Sequence, residues 1–189
     1  MMKKYLNNEY ETGHGRLLGI FFGVFVLGSV AGFIYESIFQ WANLSFKTFL
    51  WAGDGFGPWV LMYGISAVLM FAVLRYLKKQ PWFVFLIGAA AGGIIQFVLG
   101  LGFYSLSGGE RLWNYRLEIL ASLNLGGFVC LRSVIVFGIL ALLVIYVFAP
   151  LLHKMANAMK PWLFVLICAI VFAISVADMA YGVVKAVIV

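Results

Sequence analysis

The 189-residue chain is 65% hydrophobic and only 11% charged, which leaves too little polar surface to coat a soluble domain of this size. Its formal net charge is +6, but the basic residues flank apolar runs and form no basic face. We therefore exclude nucleic acid as a partner and expect contact with anionic lipid. The apolar runs are continuous rather than alternating, which argues against a closed barrel. The sequence predicts an all-α, polytopic integral membrane helix bundle.

Five apolar runs are long enough to cross a bilayer as helices. They follow a polar, loosely ordered N-terminal segment (1–16) and form a single membrane domain (17–189). The predicted transmembrane helices are 17–41, 57–77, 82–105, 126–152 and 162–187. Between the third and the fourth, the stretch LWNYRLEILASL is typical of a short amphipathic helix that lies at the membrane interface.

The distribution of basic residues predicts the orientation of these helices, because cytoplasmic loops carry an excess of Lys and Arg. With the N-terminus inside, the cytoplasmic side holds eight of them, namely Lys3, Lys4, Arg16, Arg75, Lys78, Lys79, Lys154 and Lys160. The outer side holds Lys47, Arg111, Arg116 and Lys185, or five residues if Arg132 is counted there. We expect a multi-pass plasma-membrane protein with a cytoplasmic N-terminus and an outer C-terminus.

Ionisable side chains inside apolar runs are the strongest functional signal in the chain, because a charge in a bilayer is costly. Arg132, Glu36 and Asp178 are such residues. The limits of the predicted helices place them, with Tyr63 and Gln96, in the outer half of the bilayer. One interpretation is a substrate-binding pocket, open to the outside, in which Arg132 lies between the two carboxylates. In the alternative, Arg132 extends to the interface and each carboxylate finds its own partner.

Two stretches of the chain resemble each other. VFVLGSVAGFIYE (24–36) and VFLIGAAAGGIIQ (84–96) are identical at six of thirteen positions and align Glu36 with Gln96. Each stretch places its glycines four residues apart on one helix face, which favours close helix packing. The predicted packing residues are Gly28, Gly32, Gly88, Gly92 and Gly100. The similarity is explained either by internal duplication or by the biased composition of membrane segments.

Few other residues suggest chemistry. Cys130 and Cys168 lie in separate apolar runs, while His14 and His153 are isolated near segment ends. We therefore expect no metal site and no cofactor. No H-E-x-x-H, G-x-S-x-G or phosphate-binding G-x-x-x-x-G-K-[ST] motif occurs. The chain is accordingly not expected to be an enzyme, and any ATPase would be a separate subunit.

Three stretches, taken in order, resemble one known family. They are GFIYESIF (32–39), GPWVLMYG (57–64) and the run 113–152, which begins WNYRLEILASLNLGGFVCLR. Together they are similar to the CmpB-like ABC-transporter permease family of bacterial multi-span membrane proteins. The positions that match its motifs are Tyr35, Glu36, Ser37, Gly57, Pro58, Tyr63, Gly64, Trp113, Tyr115, Asn124, Gly127, Cys130 and Pro150.

Three positions depart from the family's pattern. Gln96 replaces an acidic residue of the third span, and Asn114 replaces the Asp of a Trp-Asp-Tyr motif. Phe128 replaces an Arg, and Arg132 follows one turn further on. The resemblance implies a membrane permease, and the departures imply altered polar chemistry within it.

The leading hypothesis is a permease or substrate-binding membrane subunit of a small-solute transporter, with the polar pocket as its binding site. Its partners would be the lipid bilayer, a small-molecule solute, a separate ATPase subunit and, in a homo-oligomer, further copies of the chain. Two alternatives are a non-catalytic assembly or regulatory subunit, and an intramembrane enzyme that acts on a lipid-linked substrate. In such an enzyme, Glu36 and Asp178 would be acid and base, while Arg132 would hold a phosphate.

Overall fold

The computed structural model describes residues 2–7, 13–43, 51–111, 113–117 and 123–188, and these are largely helical. The α-helices in the described ranges are α1 (Met2–Leu6), α2 (His14–Asn43), α3 (Leu61–Leu74), α4 (Pro81–Leu106), α5 (Leu131–Leu143), α6 (Ala149–Ala158) and α7 (Pro161–Ile188). A π-helical turn, Val144–Phe148, joins α5 to α6 without a break. Two short strands, β1 (Asn124–Leu125) and β2 (Val129–Cys130), precede α5.

Four helical segments are long and apolar enough to cross a membrane: His14–Ala42, Pro81–Leu106, Leu131–Ala158 and Pro161–Gly182. The chain is therefore a multi-pass, all-helical membrane protein. Contacts between helices give their relative directions. Gly19 of α2 packs on Phe164 of α7. Further along both helices, Phe25 packs on Phe172, so α2 and α7 run parallel. Helix α3 runs back along α2, and α5 runs back along α4.

The second predicted transmembrane helix is shorter than expected. The sequence predicts a helix over 57–77, but α3 covers only Leu61–Leu74. Fourteen residues rise about 21 Å, which is less than the thickness of a hydrocarbon core of about 30 Å. Residues 51–60 are not helical, and we call them the inserted connector. They reach the middle of α2, where the backbone N–H of Val60 donates to the carbonyl oxygen of Ser29 at 3.3 Å.

The prediction failed because side chains replace the helix as hydrogen-bond partners for the inserted connector. Asp54 Oδ2 accepts the N–H of Leu61 at 2.6 Å, so it caps the start of α3. Hydropathy alone records an apolar stretch and cannot detect acceptors that come from outside the helix. Non-helical backbone at membrane depth requires such partners.

The fourth predicted helix, 126–152, begins later than expected and continues to Ala158. Strands β1 and β2 form an antiparallel hairpin that places Asn124 opposite Cys130. Gly126 and Gly127 turn the hairpin with φ values of 62° and 82°, a conformation that glycine adopts without steric cost. Cys130 then caps α5, because its Sγ accepts the N–H of Ser133 at 3.4 Å.

The predicted interfacial helix is represented by a single 3₁₀ turn, Tyr115–Leu117. Residues 112 and 118–122 of that stretch lie outside the described residues, so its remainder stays a prediction. The turn is fixed to the hairpin, because the backbone N–H of Tyr115 donates to the carbonyl oxygen of Gly127 at 3.0 Å. The indole N–H of Trp113 similarly donates to the carbonyl oxygen of Phe128 at 2.8 Å. The described residues of the segment between α4 and α5 thus form a cap on the bundle.

Helices α2 and α3 pack through glycine. A Cβ atom added at Gly28 would overlap the Cβ of Ala67, and one added at Gly32 would overlap the side chain of Tyr63. The contact is antiparallel, and the two helices approach closely because α2 contributes glycines, which have no side chain, to it.

Helices α4 and α5 repeat the same arrangement. A Cβ at Gly88 would overlap the Cβ of Ala141, and one at Gly92 would overlap Phe137. Further along α4, Gly100 faces Phe128 and Trp113. The predicted packing glycines therefore all face protein.

The partner helices α3 and α5 are also similar in sequence. LMYGISAVLMFAVL (61–74) and IVFGILALLVIYVF (135–148) are identical at five of fourteen positions. Gly64 packs against Phe25, and its counterpart Gly138 packs against Phe85, the counterpart of Phe25. The pairs α2–α3 and α4–α5 share both sequence and contacts. They therefore indicate a duplicated helical hairpin whose two copies have the same orientation.

The end of the bundle opposite the inserted connector is covered by α1, which the sequence assigned to a loosely ordered segment. Its Tyr5 is only 3% exposed and lies 5.4 Å from the ring of His153, centroid to centroid. Lys78 Nζ donates to the carbonyl oxygen of Tyr5 at 2.5 Å and lies 4.2 Å from the centroid of its ring. Burial lowers the pKa of Lys78, and the neighbouring Lys79 lowers it further.

Alanine substitutions on α4 test the glycine packing. Gly92→Ala should lower the thermal unfolding temperature in detergent, because the added methyl group would overlap the side chain of Phe137. Gly102→Ala is the matched control, since a Cβ there meets nothing within 4 Å and alanine favours a helix by about 0.5–1 kcal/mol. Equal behaviour of the two variants would contradict the packing.

Candidate functional site

Glu36 lies on α2 one turn beyond Gly32, on the same face of the helix. Because the ring of Tyr63 rests on Gly32, its hydroxyl reaches one turn along α2 and donates to Glu36 Oε1 at 2.6 Å. Tyr63 is only 3% exposed, while Glu36 is half-buried. A carboxylate accepts several hydrogen bonds, so Tyr63 orients Glu36 without saturating it.

Arg132, in the first turn of α5, extends across to aromatic residues of α2. Its Nη1 donates to the hydroxyl of Tyr35. Its guanidinium carbon lies 3.7 Å from the ring centroid of Phe39 and 5.4 Å from that of Tyr115. These distances are those of cation–π contacts, which stabilise a buried guanidinium.

Gln96, the counterpart of Glu36 in the repeat, is fully buried. Its Nε2 donates to the hydroxyl of Tyr115 at 2.9 Å, and its Oε1 meets no hydrogen-bond donor within the part of the chain that the structure describes. Burial raises the pKa of Tyr115, the Glu36 carboxylate raises it further, and Arg132 lowers it. The phenol is therefore neutral, and it interacts electrostatically with both the Glu36 carboxylate and the Arg132 guanidinium. Glu36, Tyr63, Gln96, Tyr115 and Arg132 together form what we call the polar cluster.

A cavity of about 260 Å³ opens beside the polar cluster. It lies where α2 approaches the start of α3 and the cap between α4 and α5. Its lining combines one carboxylate with aromatic rings and a few apolar and amide groups. The lining residues are Glu36, Phe39, Gln40, Val60, Met62, Tyr63, Trp113 and Tyr115.

Asp178 belongs to a different set of contacts, at the inserted connector. Its Oδ1 accepts the N–H of Phe56 at 3.1 Å, and its Oδ2 accepts the N–H of Gly57 at 2.8 Å. The indole N–H of Trp59 also donates to Oδ2, at 2.9 Å. Asp178 thus fastens the connector to α7 and satisfies backbone groups that no helix satisfies.

The structure therefore brings together four of the five predicted site residues, Glu36, Tyr63, Gln96 and Arg132, and leaves Asp178 apart. The hypothesis that Arg132 lies between two carboxylates does not hold for Asp178. The depth of a residue along a helix follows from its position in the sequence, but the direction of its side chain around the axis depends on packing.

Several residues of the site carry little signal in the sequence. Tyr35 and Phe39 contact Arg132, yet each is one aromatic residue among many in a membrane segment. The sequence distinguishes Trp113 and Tyr115 only as positions that match the family's motifs. Their fixed places in those motifs were the available signal that the segment between α4 and α5 contributes to the site.

A family model described as "Putative ABC-transporter type IV" matches residues 23–183. The chain belongs to this family. The match includes most of α2, all of α3 to α6, most of α7 and every residue of the polar cluster, and it confirms the resemblance drawn from the motifs. No curated protein and no solved structure matches the chain. Membership of the ABC-transporter type IV family and the four apolar helices make the chain a transporter-related membrane protein.

A double-mutant cycle tests the contact between Glu36 and Tyr63. The variants are Glu36→Leu, which removes the acceptor, Tyr63→Phe, which removes the donor, and their combination, read by thermal unfolding in detergent. A hydrogen bond to a charged group predicts a coupling of about 1.5–3 kcal/mol. In the control cycle, Tyr181→Phe takes the place of Tyr63→Phe. Tyr181 lies on α7 and is 53% exposed, so the stability changes of the two control substitutions should be additive. A Glu36–Tyr63 coupling near zero would exclude the contact.

Asp178→Asn tests the role of Asp178 as an anchor. The amide offers one acceptor where the carboxylate offers two, so we expect a lower unfolding temperature and faster proteolysis within 51–60. Glu110→Gln, an exposed residue between α4 and α5, is the matched control. Combining Asp178→Asn with Arg132→Ala should give additive losses of stability, because the two side chains belong to separate sets of contacts. A strong coupling would place Asp178 in the polar cluster after all.

Proposed function

We propose that the chain is a permease-type, solute-binding membrane subunit of a small-solute transporter and that its solute binds in the cavity beside Glu36. The observation that carries this proposal is a carboxylate, oriented by Tyr63, that lines an open cavity within a membrane helix bundle. Such residues in membrane segments commonly mark substrate or ion pathways. Membership of the ABC-transporter type IV family supports the same reading.

The duplicated hairpin favours transport over a purely structural role. Many transporters are built from repeats, with substrate sites near the interface of the two copies. Here the two copies meet where the rings of Tyr63 and Phe137 stack, 5.3 Å apart and nearly parallel. The polar cluster lies beside that contact. At equivalent positions of the two copies it holds a carboxylate, Glu36, and an amide, Gln96.

We further propose that α3 and the inserted connector together make the fifth crossing. Helices α2, α4 and α7 then run in one direction, and α3 and the α5–α6 segment run in the other. The excess of basic residues near the end covered by α1 would place that end in the cytoplasm, with the C-terminus outside. Of the residues in that count, Lys47 and the side chain of Lys185 lie outside the described residues.

The chain is proposed to have no catalytic activity of its own and to receive energy, if it needs any, from a separate ATPase. A phosphate-binding loop is absent from its sequence. Glu36 and Asp178 do not form an acid–base pair, because Asp178 is engaged by the inserted connector. This placement disfavours the intramembrane enzyme as it was formulated from the sequence.

The test is solute binding and uptake by the purified chain in proteoliposomes, across a panel of cationic, zwitterionic, neutral and anionic small solutes. Uptake is measured with and without an added ATPase partner that co-purifies with the chain. Glu36→Gln should abolish or greatly weaken binding while the protein remains folded, because the amide already occurs at the equivalent position 96. Glu110→Gln should leave binding unchanged.

Absence of both binding and uptake across the panel would overturn the proposal. Stable co-purification with another protein, without any solute binding, would instead support the non-catalytic assembly or regulatory subunit.

A further inference from the structure

We infer that the outward face of α4, formed by Trp82, Leu86, Ala90 and Gly93, binds helix α7 of a second copy of the chain within the membrane. The inference is independent of the proposed function. It follows from the duplicated hairpin, from a recess beside this face, and from the matching direction and depth of α4 and α7.

In the first copy of the hairpin, α7 covers the first helix and the segment that precedes the second. Gly19 of α2 packs on Phe164, and the ring of Phe22 stacks on that of Phe172 with 4.8 Å between centroids. Further along α7, Asp178 accepts two backbone N–H groups of the inserted connector. Helix α7 therefore occupies the angle between α2 and the connector.

The second copy of the hairpin presents the corresponding surface to its surroundings. The counterpart of Phe22 is Trp82, which is 78% exposed, whereas Phe22 is partly buried. One turn further on, Leu86 is 59% exposed, and its counterpart Val26 is again partly buried. The strands β1 and β2 precede α5 just as the inserted connector precedes α3. The second copy thus offers the kind of surface that α7 covers in the first.

A recess of about 300 Å³ lies on this surface, between α4, the two strands and α5. Helix α4 contributes Ala89, Ala90 and Gly93 to its wholly apolar lining. Gly93 is the counterpart of Phe33, whose ring packs on Trp51 in the first copy with 4.6 Å between centroids. Because glycine stands in place of that ring, the recess is open to an apolar side chain from outside. Small residues also allow a neighbouring helix to approach closely.

The helix that fits this surface runs in the same direction as α4, because α7 runs parallel to α2. Helices α4 and α7 also begin alike, with Pro81-Trp82 and Pro161-Trp162, and a lysine lies within two residues before each proline. Tryptophan and lysine at the end of an apolar helix are typical of the membrane interface. Both helices therefore start at the same level of the membrane. Two copies inserted in the same orientation can pair α4 with α7 without a vertical shift.

Helix α7 has an exposed face for this contact. It faces α2 through Phe164 and Phe172, while Leu166 and Ile170 on the other side are 47% and 50% exposed. Ile170 lies nine residues after the start of α7, and Ala90 lies nine residues after the start of α4. The side chain of Ile170 is thus at the depth of the recess. Because α7 packs on the first hairpin and α4 belongs to the second, a two-fold pair of chains can form the same contact twice.

The experiment is disulfide cross-linking in native membranes between two differently tagged, co-expressed chains. One chain carries Ala90→Cys and the other Ile170→Cys, in a background of Cys130→Ser and Cys168→Ala that is first checked for an unchanged unfolding temperature. Copper-phenanthroline oxidation should give a dimer that contains both tags. Neither variant expressed alone should cross-link, because position 90 meets position 170 of the other copy.

The control pair is Ile139→Cys with Ile170→Cys, and it should not cross-link. Ile139 is 48% exposed and lies on α5. The contacts of Gly88 with Ala141 and of Gly92 with Phe137 place it at the depth of Ala90. The control therefore reports random collision at equal depth.

A second measurement uses no added cysteine. Ala90→Trp should abolish the dimer seen by single-molecule photobleaching of the full chain in dilute liposomes, because the indole would occupy the recess. Its unfolding temperature should stay unchanged, since position 90 is exposed within one chain. Val73→Trp, at a 59% exposed position of α3, should leave the dimer intact.

Three results would overturn the inference. A chain that is monomeric in liposomes and gives no cross-link has the outward face of α4 covered by lipid. Cross-linking of Ala90→Cys alone would show that α4 pairs with α4. Co-purification of another membrane protein that cross-links to Ala90→Cys would make that protein the occupant. In each case the solute panel still decides the proposed function separately.

Discussion

The close approach of α3 to α2 through Gly32 is the contact on which the site depends. Without a side chain at that position, the ring of Tyr63 lies against the backbone of α2, and its hydroxyl extends one turn further to Glu36. A Cβ at position 32 would push the ring outward and separate the donor from the carboxylate. Helix packing and carboxylate orientation are therefore one feature of the fold, because the same glycine allows both.

The second hairpin repeats this contact with different chemistry. Gly92 packs against Phe137. Phenylalanine has no hydroxyl, so it cannot donate a hydrogen bond to the side chain one turn further along α4. That side chain is Gln96, and it turns instead to Tyr115 in the segment between α4 and α5. The duplicated scaffold is thus nearly symmetric in its apolar contacts and asymmetric in its polar ones. This asymmetry accounts for a single charged copy of the site and explains why the segment before α5 completes it.

The sequence predicted the parts of this arrangement that depend on spacing along one helix. Glycines four residues apart, followed by a polar residue, placed Glu36 and Gln96 on the glycine-bearing faces of their helices. Spacing could not place Asp178, whose orientation depends on how the inserted connector meets α7. It also could not reveal that 57–60 leaves the helix, because the side-chain acceptors lie on Asp54 and on a helix more than a hundred residues away. The hairpin before α5 was missed for a similar reason, since Gly126-Gly127 lies within an apolar run.

The shortness of α3 gives a physical reason why an acidic side chain is tolerated beside it. Because α3 begins only at Leu61, Tyr63 lies in its first turn, and Glu36 is held near the N-terminal end of the helix. That end carries a partial positive charge, which stabilises a nearby carboxylate. A full-length helix over 57–77 would have carried this end past Glu36 and left the carboxylate beside the uncharged middle of a helix. Asp54 and Asp178 fix the inserted connector in place. The connector therefore sets the depth at which α3 begins, and that depth determines the electrostatic environment of Glu36.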